Sequence, residues 1–154
     1  MKTLQVGDIA PNFTLPNQTG EPVNLADLLK EGKVLVYFYP KAMTPGCTVQ
    51  AQNLRDVRDE LAAKGVTVVG ISPDAPKRLA KFVERDNLNF TLLGDEQHEV
   101  ANAFGVWGPK KFMGREYDGI HRLSFLIDQS GKVSHVFDKF KTKDHHEVVL
   151  NVLE

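Results

Sequence analysis

The densest apolar run in the chain is KVLVYFYP, residues 33–40, nearly continuous in β-branched and aromatic side chains. Such a run predicts a strand covered on both faces. The period then changes. In CTVQAQNLRDVRDELAAKG, residues 47–65, Leu54, Val57 and Leu61 recur at helical spacing, charges fill the other face, and Gly65 supplies a stop. VTVVGISP, residues 66–73, is a second buried strand that also ends at a proline. Pro76 opens a helix through KRLAKFVERD with Leu79, Phe82 and Val83 as its apolar stripe. FTLLGD is a short strand whose Asp95 is placed to cap the helix EQHEVANAF, which Gly105 closes.

VWGPKKFMGREYDG, with its three glycines and one proline, is expected to be a loop. HRLSFLID and KVSHVFDKF predict a hairpin around Asp128 to Gly131. Asp144 and Glu147 stand at capping-box spacing before the amphipathic segment EVVLNVL. At the front, NFTLPNQTGEPVNL reads as an outer hairpin and a short helix.

The βαβ opening requires parallel strands joined by a right-handed crossover, and the closing hairpin adds antiparallel ones. The expected fold is therefore α/β: a central mixed β-sheet flanked by helices on both faces, with an N-terminal β-hairpin extension. Sites in such sheets form beyond the carboxyl ends of the parallel strands. The tip of strand 33–40 is one of those ends.

Composition narrows the partners. Lys plus Arg is 19 and Asp plus Glu is 20, so no global field favours nucleic acid or anionic lipid. The 154 residues suit one domain spanning 1–154. No apolar run approaches a membrane span, and MKTLQVGDIAPNF lacks the apolar core of a signal peptide. The single cysteine fits a reducing, cytoplasmic setting. The even charge balance and the lack of an obvious exposed apolar patch predict a monomer.

That cysteine, Cys47, lies in YFYPKAMTPGCT, just past the strand tip. With Thr44 as N-cap and Pro45 at the first helical position, Cys47 falls in the first turn of a helix. Unpartnered backbone N–H groups and the helix dipole favour a charged sulfur there. Helix N-termini and nearby cations bring cysteine from a pKa of roughly 8.5 to about 3.5–7.5. Inert packing is the competing reading of a lone cysteine, as a plain cap is of Thr44 and turn punctuation of Pro40 and Pro45.

Arg122 sits inside the apolar stretch IHRLSFLID, where an unpaired charge is costly. Strand alternation puts Leu123, Phe125 and Ile127 on one face and Arg122, Ser124 and Leu126 on the other, with His121 turned away from Arg122. Arg122 either reaches Cys47, pairs with an acidic side chain, or lays its stem on the core with its head in water.

A strand ending in P-x-x-x-T-x-x-C, here Pro40, Thr44 and Cys47, with a later arginine, here Arg122, resembles the peroxiredoxins. The surrounding words VLVYFYPKAMTPGCTVQA, NFTLL, FGVWG, KFMG, YDGIHR and SFLID are similar to the Q-type branch, and the likeness runs through nearly the whole chain. The resemblance implies a thioredoxin-like fold and thiol-dependent reduction of hydrogen peroxide and organic hydroperoxides, with no metal, haem or flavin cofactor. It makes Cys47 the peroxidatic cysteine, Thr44 the hydroxyl that contacts sulfur and peroxide, Arg122 the activating arginine and Pro40 the shield against water. Backbone N–H groups near Gly46 and Cys47 would join Thr44 and Arg122 in holding the substrate.

Many relatives carry a resolving cysteine five residues after the first, and here that position is Gln52; Ala101 stands where some relatives have another. With no second cysteine, the expectation is a one-cysteine cycle completed by an external thiol, whether thioredoxin, glutathione with glutaredoxin, or a small thiol. A Cys-His hydrolase is a lesser alternative. A non-enzymatic thioredoxin-fold redox sensor or holdase chaperone is the other. Trp107 is expected to pack in its loop or the core, with Phe112 and Met113 at the entrance to the cysteine turn.

Overall fold

The computed structural model describes residues 1–153. The elements run β1 (Thr14–Pro16), β2 (Pro22–Asn24), α1 (Leu25–Leu29), β3 (Lys33–Phe38), α2 (Pro45–Asp56), α3 (Arg58–Ala63), β4 (Val66–Ser72) and α4 (Pro76–Asp86). The second half comprises β5 (Thr91–Gly94), α5 (Glu99–Phe104), β6 (Trp107–Phe112), β7 (Arg115–Ile120), β8 (Ser124–Ile127), β9 (Val133–Phe137) and α6 (His145–Val152).

The central sheet has the order β5-β4-β3-β8-β9. β3, β4 and β5 are parallel, while β8 and β9 are antiparallel additions, as the βαβ-then-hairpin pattern predicts. Alternation along β3 divides the interior. Val34, Val36 and Phe38 join Phe13, Leu25, Phe104, Phe125 and Ile127 on one face. Leu35, Tyr37 and Tyr39 join Cys47, Leu54, Leu79, Phe82, Leu126 and Val149 on the other. Helices thus cover both faces, and the thiol belongs to the second. Gly70 on β4 makes room there, because a Cβ at that position would stand 2.8 Å from the Tyr37 ring.

Several local expectations change. The helix expected over 47–65 breaks at Val57 (φ −106°, ψ 9°) into α2 and α3. The expected loop over 106–119 is a β-hairpin, with Trp107 opposite Ile120 and Phe112 opposite Arg115. Met113 and Gly114 turn its corner at φ 52° and 78°, the left-handed pair that a tight hairpin requires. Pro109 is tolerated because the ribbon has only two strands and no central ladder to interrupt. Glycine and proline signalled a break in structure here, whereas they mark an edge and a corner.

Arg122 precedes β8 instead of lying within it. The alternation nonetheless holds: Leu123, Phe125 and Ile127 share one cluster, and Leu126 lies in the other. The capping box at Asp144 does not form, because its carboxylate turns back to accept the Lys141 N–H at 2.7 Å. Asp95 does reach α5, accepting from the Val100 and Ala101 N–H groups at 3.3 and 2.9 Å. Phe112, Met113 and Tyr117 are 65, 88 and 49% exposed, an apolar hairpin tip that the sequence reading missed. Among the described residues, no helix is long and apolar enough to cross a membrane.

Candidate active site

β3 delivers the chain at Pro40 into a turn that is held from beneath. Both backbone groups of Ala42 are claimed: its N–H donates to Asp74 Oδ2 at 2.8 Å, and its carbonyl accepts from Arg78 Nη2 at 2.9 Å. Asp74, buried at the end of β4, also accepts from Ser72 Oγ at 2.7 Å. This bracing offsets the cost of Met43, a non-glycine residue at φ 66°. Thr44 then stands at the N-cap position and Pro45 at the helix start, as the sequence predicts. The Thr44 hydroxyl does not cap the helix, however; it donates to the Lys41 carbonyl at 2.9 Å. Its lone pairs remain available at the mouth of α2.

Cys47 sits in the first turn of α2 and is only 1% exposed. Of the three placements open to Arg122, the structure has the first: Nη2 donates to Cys47 Sγ at 3.2 Å. Nη1 donates to Gln50 Oε1 at 3.1 Å, so one planar fork is fixed across two partners on α2. Gly46 leaves space for that fork, since a Cβ there would lie 3.3 Å from Nη2 and 3.5 Å from Thr142 Cγ2. Cys47, Gly46 and Arg122 therefore converge. Thr44 lies three residues before the sulfur at the same helix end, and half-buried Pro40 marks where the chain leaves the sheet.

Three neighbours escaped the sequence reading. Gln50 lies three residues after Cys47, on the same helix face, a spacing that could have flagged it. Lys110, on β6, holds the Ile120 carbonyl at 2.8 Å; burial and then the Arg122 guanidinium lower its pKa, with the nearby Cys47 sulfur as a smaller opposing influence. Thr142 approaches from the segment before α6, and no local pattern announces it. Behind the thiol, Tyr37 and Tyr39 stack with ring centroids 5.4 Å apart. Burial first, then mutual repulsion and the nearby sulfur, holds the Tyr37 phenol well above its usual range. Tyr37 thus stays neutral, an apolar wall with a polar tip.

No histidine among the described residues bonds to the thiol. His98 stacks on Trp107 at 3.8 Å, His121 contacts the Pro109 carbonyl at 3.1 Å, and His135 meets Ser134 Oγ at 3.2 Å. Trp107, expected in a loop or the core, is on a strand and packs half-buried against the first apolar cluster. Phe112 and Met113 stand exposed at the hairpin tip, outside the apolar cluster around Cys47.

His145, the first residue of α6, is fully buried and shares a 2.7 Å hydrogen bond with Ser124 Oγ. Burial, reinforced by His146, lowers its pKa from 6.5 to about 3. Below pH 6.5 the unfolded chain takes a proton that the folded chain refuses until about pH 3, so stability falls as pH drops through that window. The expected loss from His145 between pH 7 and pH 4 is about 3 kcal/mol. Urea melts at the two pH values check it: His145→Gln should lose that part of the pH dependence, and an unchanged dependence would remove His145 as its source.

The geometry is that of a buried sulfur in contact with a guanidinium at a helix N-terminus, and comparison with known proteins shows the family to which this fold belongs. A sequence profile of the AhpC/TSA family matches residues 6–136. Peroxiredoxin Bcp of Escherichia coli K12 is 64% identical over 154 residues, covering all of this chain and 98% of its own. Among solved structures, the peroxidoxin BcpB of Mycobacterium tuberculosis superposes with a TM-score of 0.87 at 39% identity, over 97% of this chain and 96% of that one. Peroxiredoxin Q of Xanthomonas campestris gives a TM-score of 0.85 at 29% identity, over 92% of this chain and 89% of that one. The sheet and its helices have the thioredoxin-like architecture of these neighbours. This chain belongs to the AhpC/TSA family and is a peroxiredoxin of the Q-type and Bcp group, a thiol peroxidase.

Proposed function

We propose that this chain reduces hydrogen peroxide and organic hydroperoxides through a sulfenic acid at Cys47, and that external thiols complete the cycle because Gln52 stands where a resolving cysteine would be. The observation that carries the reading is the 3.2 Å contact between Arg122 Nη2 and Cys47 Sγ at the start of α2. The guanidinium stabilises the thiolate. That thiolate attacks one peroxide oxygen in line, the S–O bond forms as the O–O bond breaks, and the departing oxygen takes a proton and leaves as water or alcohol.

Negative charge spreads along the S–O–O axis in the transition state. Arg122 and the N–H groups of Gly46 and Cys47 are donors already in place as it develops, and the Thr44 hydroxyl joins them by turning its hydrogen from the Lys41 carbonyl to the peroxide. Pro40 and the stacked tyrosines limit the water that would compete for those donors. The product is the first, reversible rung of sulfur oxidation.

Intact-protein mass after one equivalent of peroxide is the test. A gain of one oxygen is expected, and an unchanged mass would overturn the reading. Thr44→Val should slow the same step about tenfold, the worth of one hydrogen bond made in the transition state. A wild-type rate in stopped-flow oxidation would take Thr44 out of the mechanism.

A further inference from the structure

Gln52 does more than leave the resolving position empty. Its Nε2 crosses from α2 to α4 and donates to Asp86 Oδ1 at 3.0 Å. Asp86 is 7% exposed, and its other oxygen accepts from Arg85 Nε at 2.9 Å. Arg55 Nη1 donates to the Asp86 carbonyl at 2.7 Å, tying the C-terminal half of α2 to the same residue. Arg85 Nη2 reaches Thr48 Oγ1 at 2.8 Å, beside Cys47. On its other flank α2 is held by Asn53 Nδ2, which donates to the Lys143 carbonyl at 3.2 Å. One helix is therefore fastened at four of its residues, largely through hydrogen bonds involving charged groups, the stronger kind.

The fastening bears on how oxidised Cys47 is reached. A protein dithiol must bring its sulfur to bonding distance, yet Cys47 lies in the second apolar cluster with 1% exposure. Its first helical turn would have to unwind, breaking the Arg85–Thr48 bond and loading the Gln52–Asp86 bond behind it. A small thiol has no such need. Its sulfur-bearing end has the slender shape of an alkyl hydroperoxide's reactive end and can follow the same path.

Building on the one-cysteine cycle above, we propose that the Gln52–Asp86–Arg85 clamp keeps α2 wound after oxidation and selects a low-molecular-weight monothiol as the first reductant. The thiol attacks the sulfenic sulfur, an S–S bond forms, the S–O bond breaks, and the oxygen leaves as water with the two available protons. A second thiol attacks the small molecule's sulfur in the mixed disulfide, releasing the Cys47 thiol and a symmetrical disulfide. Two electrons, one from each thiol, reduce the sulfenic acid.

The test starts from wild-type protein oxidised with one equivalent of peroxide and verified by mass to carry one added oxygen. It is mixed with glutathione or, at equal thiol concentration, with thioredoxin kept reduced by its reductase. Glutathione is expected to restore the thiol at least tenfold faster. In Gln52→Ala, and separately in Arg85→Ala, the thioredoxin rate should rise about tenfold while the glutathione rate changes less than twofold. Arg85→Ala, altered at a half-exposed side chain, serves if Gln52→Ala does not fold. Equal rates for the two donors in wild type, or no gain with thioredoxin in a folded variant, overturns the proposal. A chain that never gains the oxygen overturns the peroxidase reading instead, so the two failures are distinct.

Discussion

Cys47→Ser brings peroxide consumption to background, with no mass gain on oxidation. A serine hydroxyl is not ionised near neutrality even beside Arg122, and its oxygen has no sulfenic rung to climb. The replacement also isolates chemistry from folding. The hydroxyl occupies nearly the same volume and accepts from Nη2 of Arg122 as the sulfur does at 3.2 Å. The buried donor therefore keeps a partner, and the cost should stay within about 1 kcal/mol, or roughly 2–4 °C of melting temperature for a domain of this size. Peroxide depletion with a reducing thiol and a thermal melt of both proteins are the two measurements. Residual turnover with an intact fold would mean that the oxygen acceptor is not this sulfur.

Arg122→Ala is expected to slow oxidation by about 10²–10³-fold, the usual loss when one preorganised donor to developing charge is removed. In the proposed mechanism the guanidinium has two parts to play, and both go: it steadies the sulfur's negative charge before attack and the spreading charge during it. Its removal also strands Gln50 Oε1 in a residue only 1% exposed, at a cost of about 1–3 kcal/mol in stability. The rate effect exceeds what that destabilisation explains in a protein that remains folded. Arg122→Lys should recover only part of the rate, since an ammonium cannot span sulfur and Gln50 as a planar fork does. Stopped-flow oxidation of all three proteins decides this, and a wild-type rate in Arg122→Ala would place Arg122 outside the reaction.

The differences between sequence and structure follow a pattern. Gly108, Pro109 and Gly114 point in sequence to a loop, yet hairpin register and a left-handed corner make them part of a ribbon. At Thr44 and Asp144 the cap positions were right, but their side chains bond to backbone groups three residues upstream, Lys41 O and Lys141 N. Short polar side chains have several backbone partners within reach, and sequence spacing does not choose among them. His145 begins a terminal helix that looks amphipathic in sequence. Its burial depends on where α6 lands against β8, and only the fold decides that.

By itself the sequence determined the order of the central sheet's strands along the chain, the mixed character of that sheet, and the delivery of one cysteine to a helix start beyond a strand tip. Those features rest on periodicity and turn chemistry within a few residues, so local physics sufficed. The tertiary structure alone decided which cation faces the sulfur, because Arg122 and Cys47 are 75 residues apart. It also set the brace from Asp74 to Ala42 across 32 residues and the clamp from Gln52 to Asp86 across 34. Each is a pairing of charged or polar groups whose worth depends on distance and burial, and neither quantity exists until the sheet has brought the elements together.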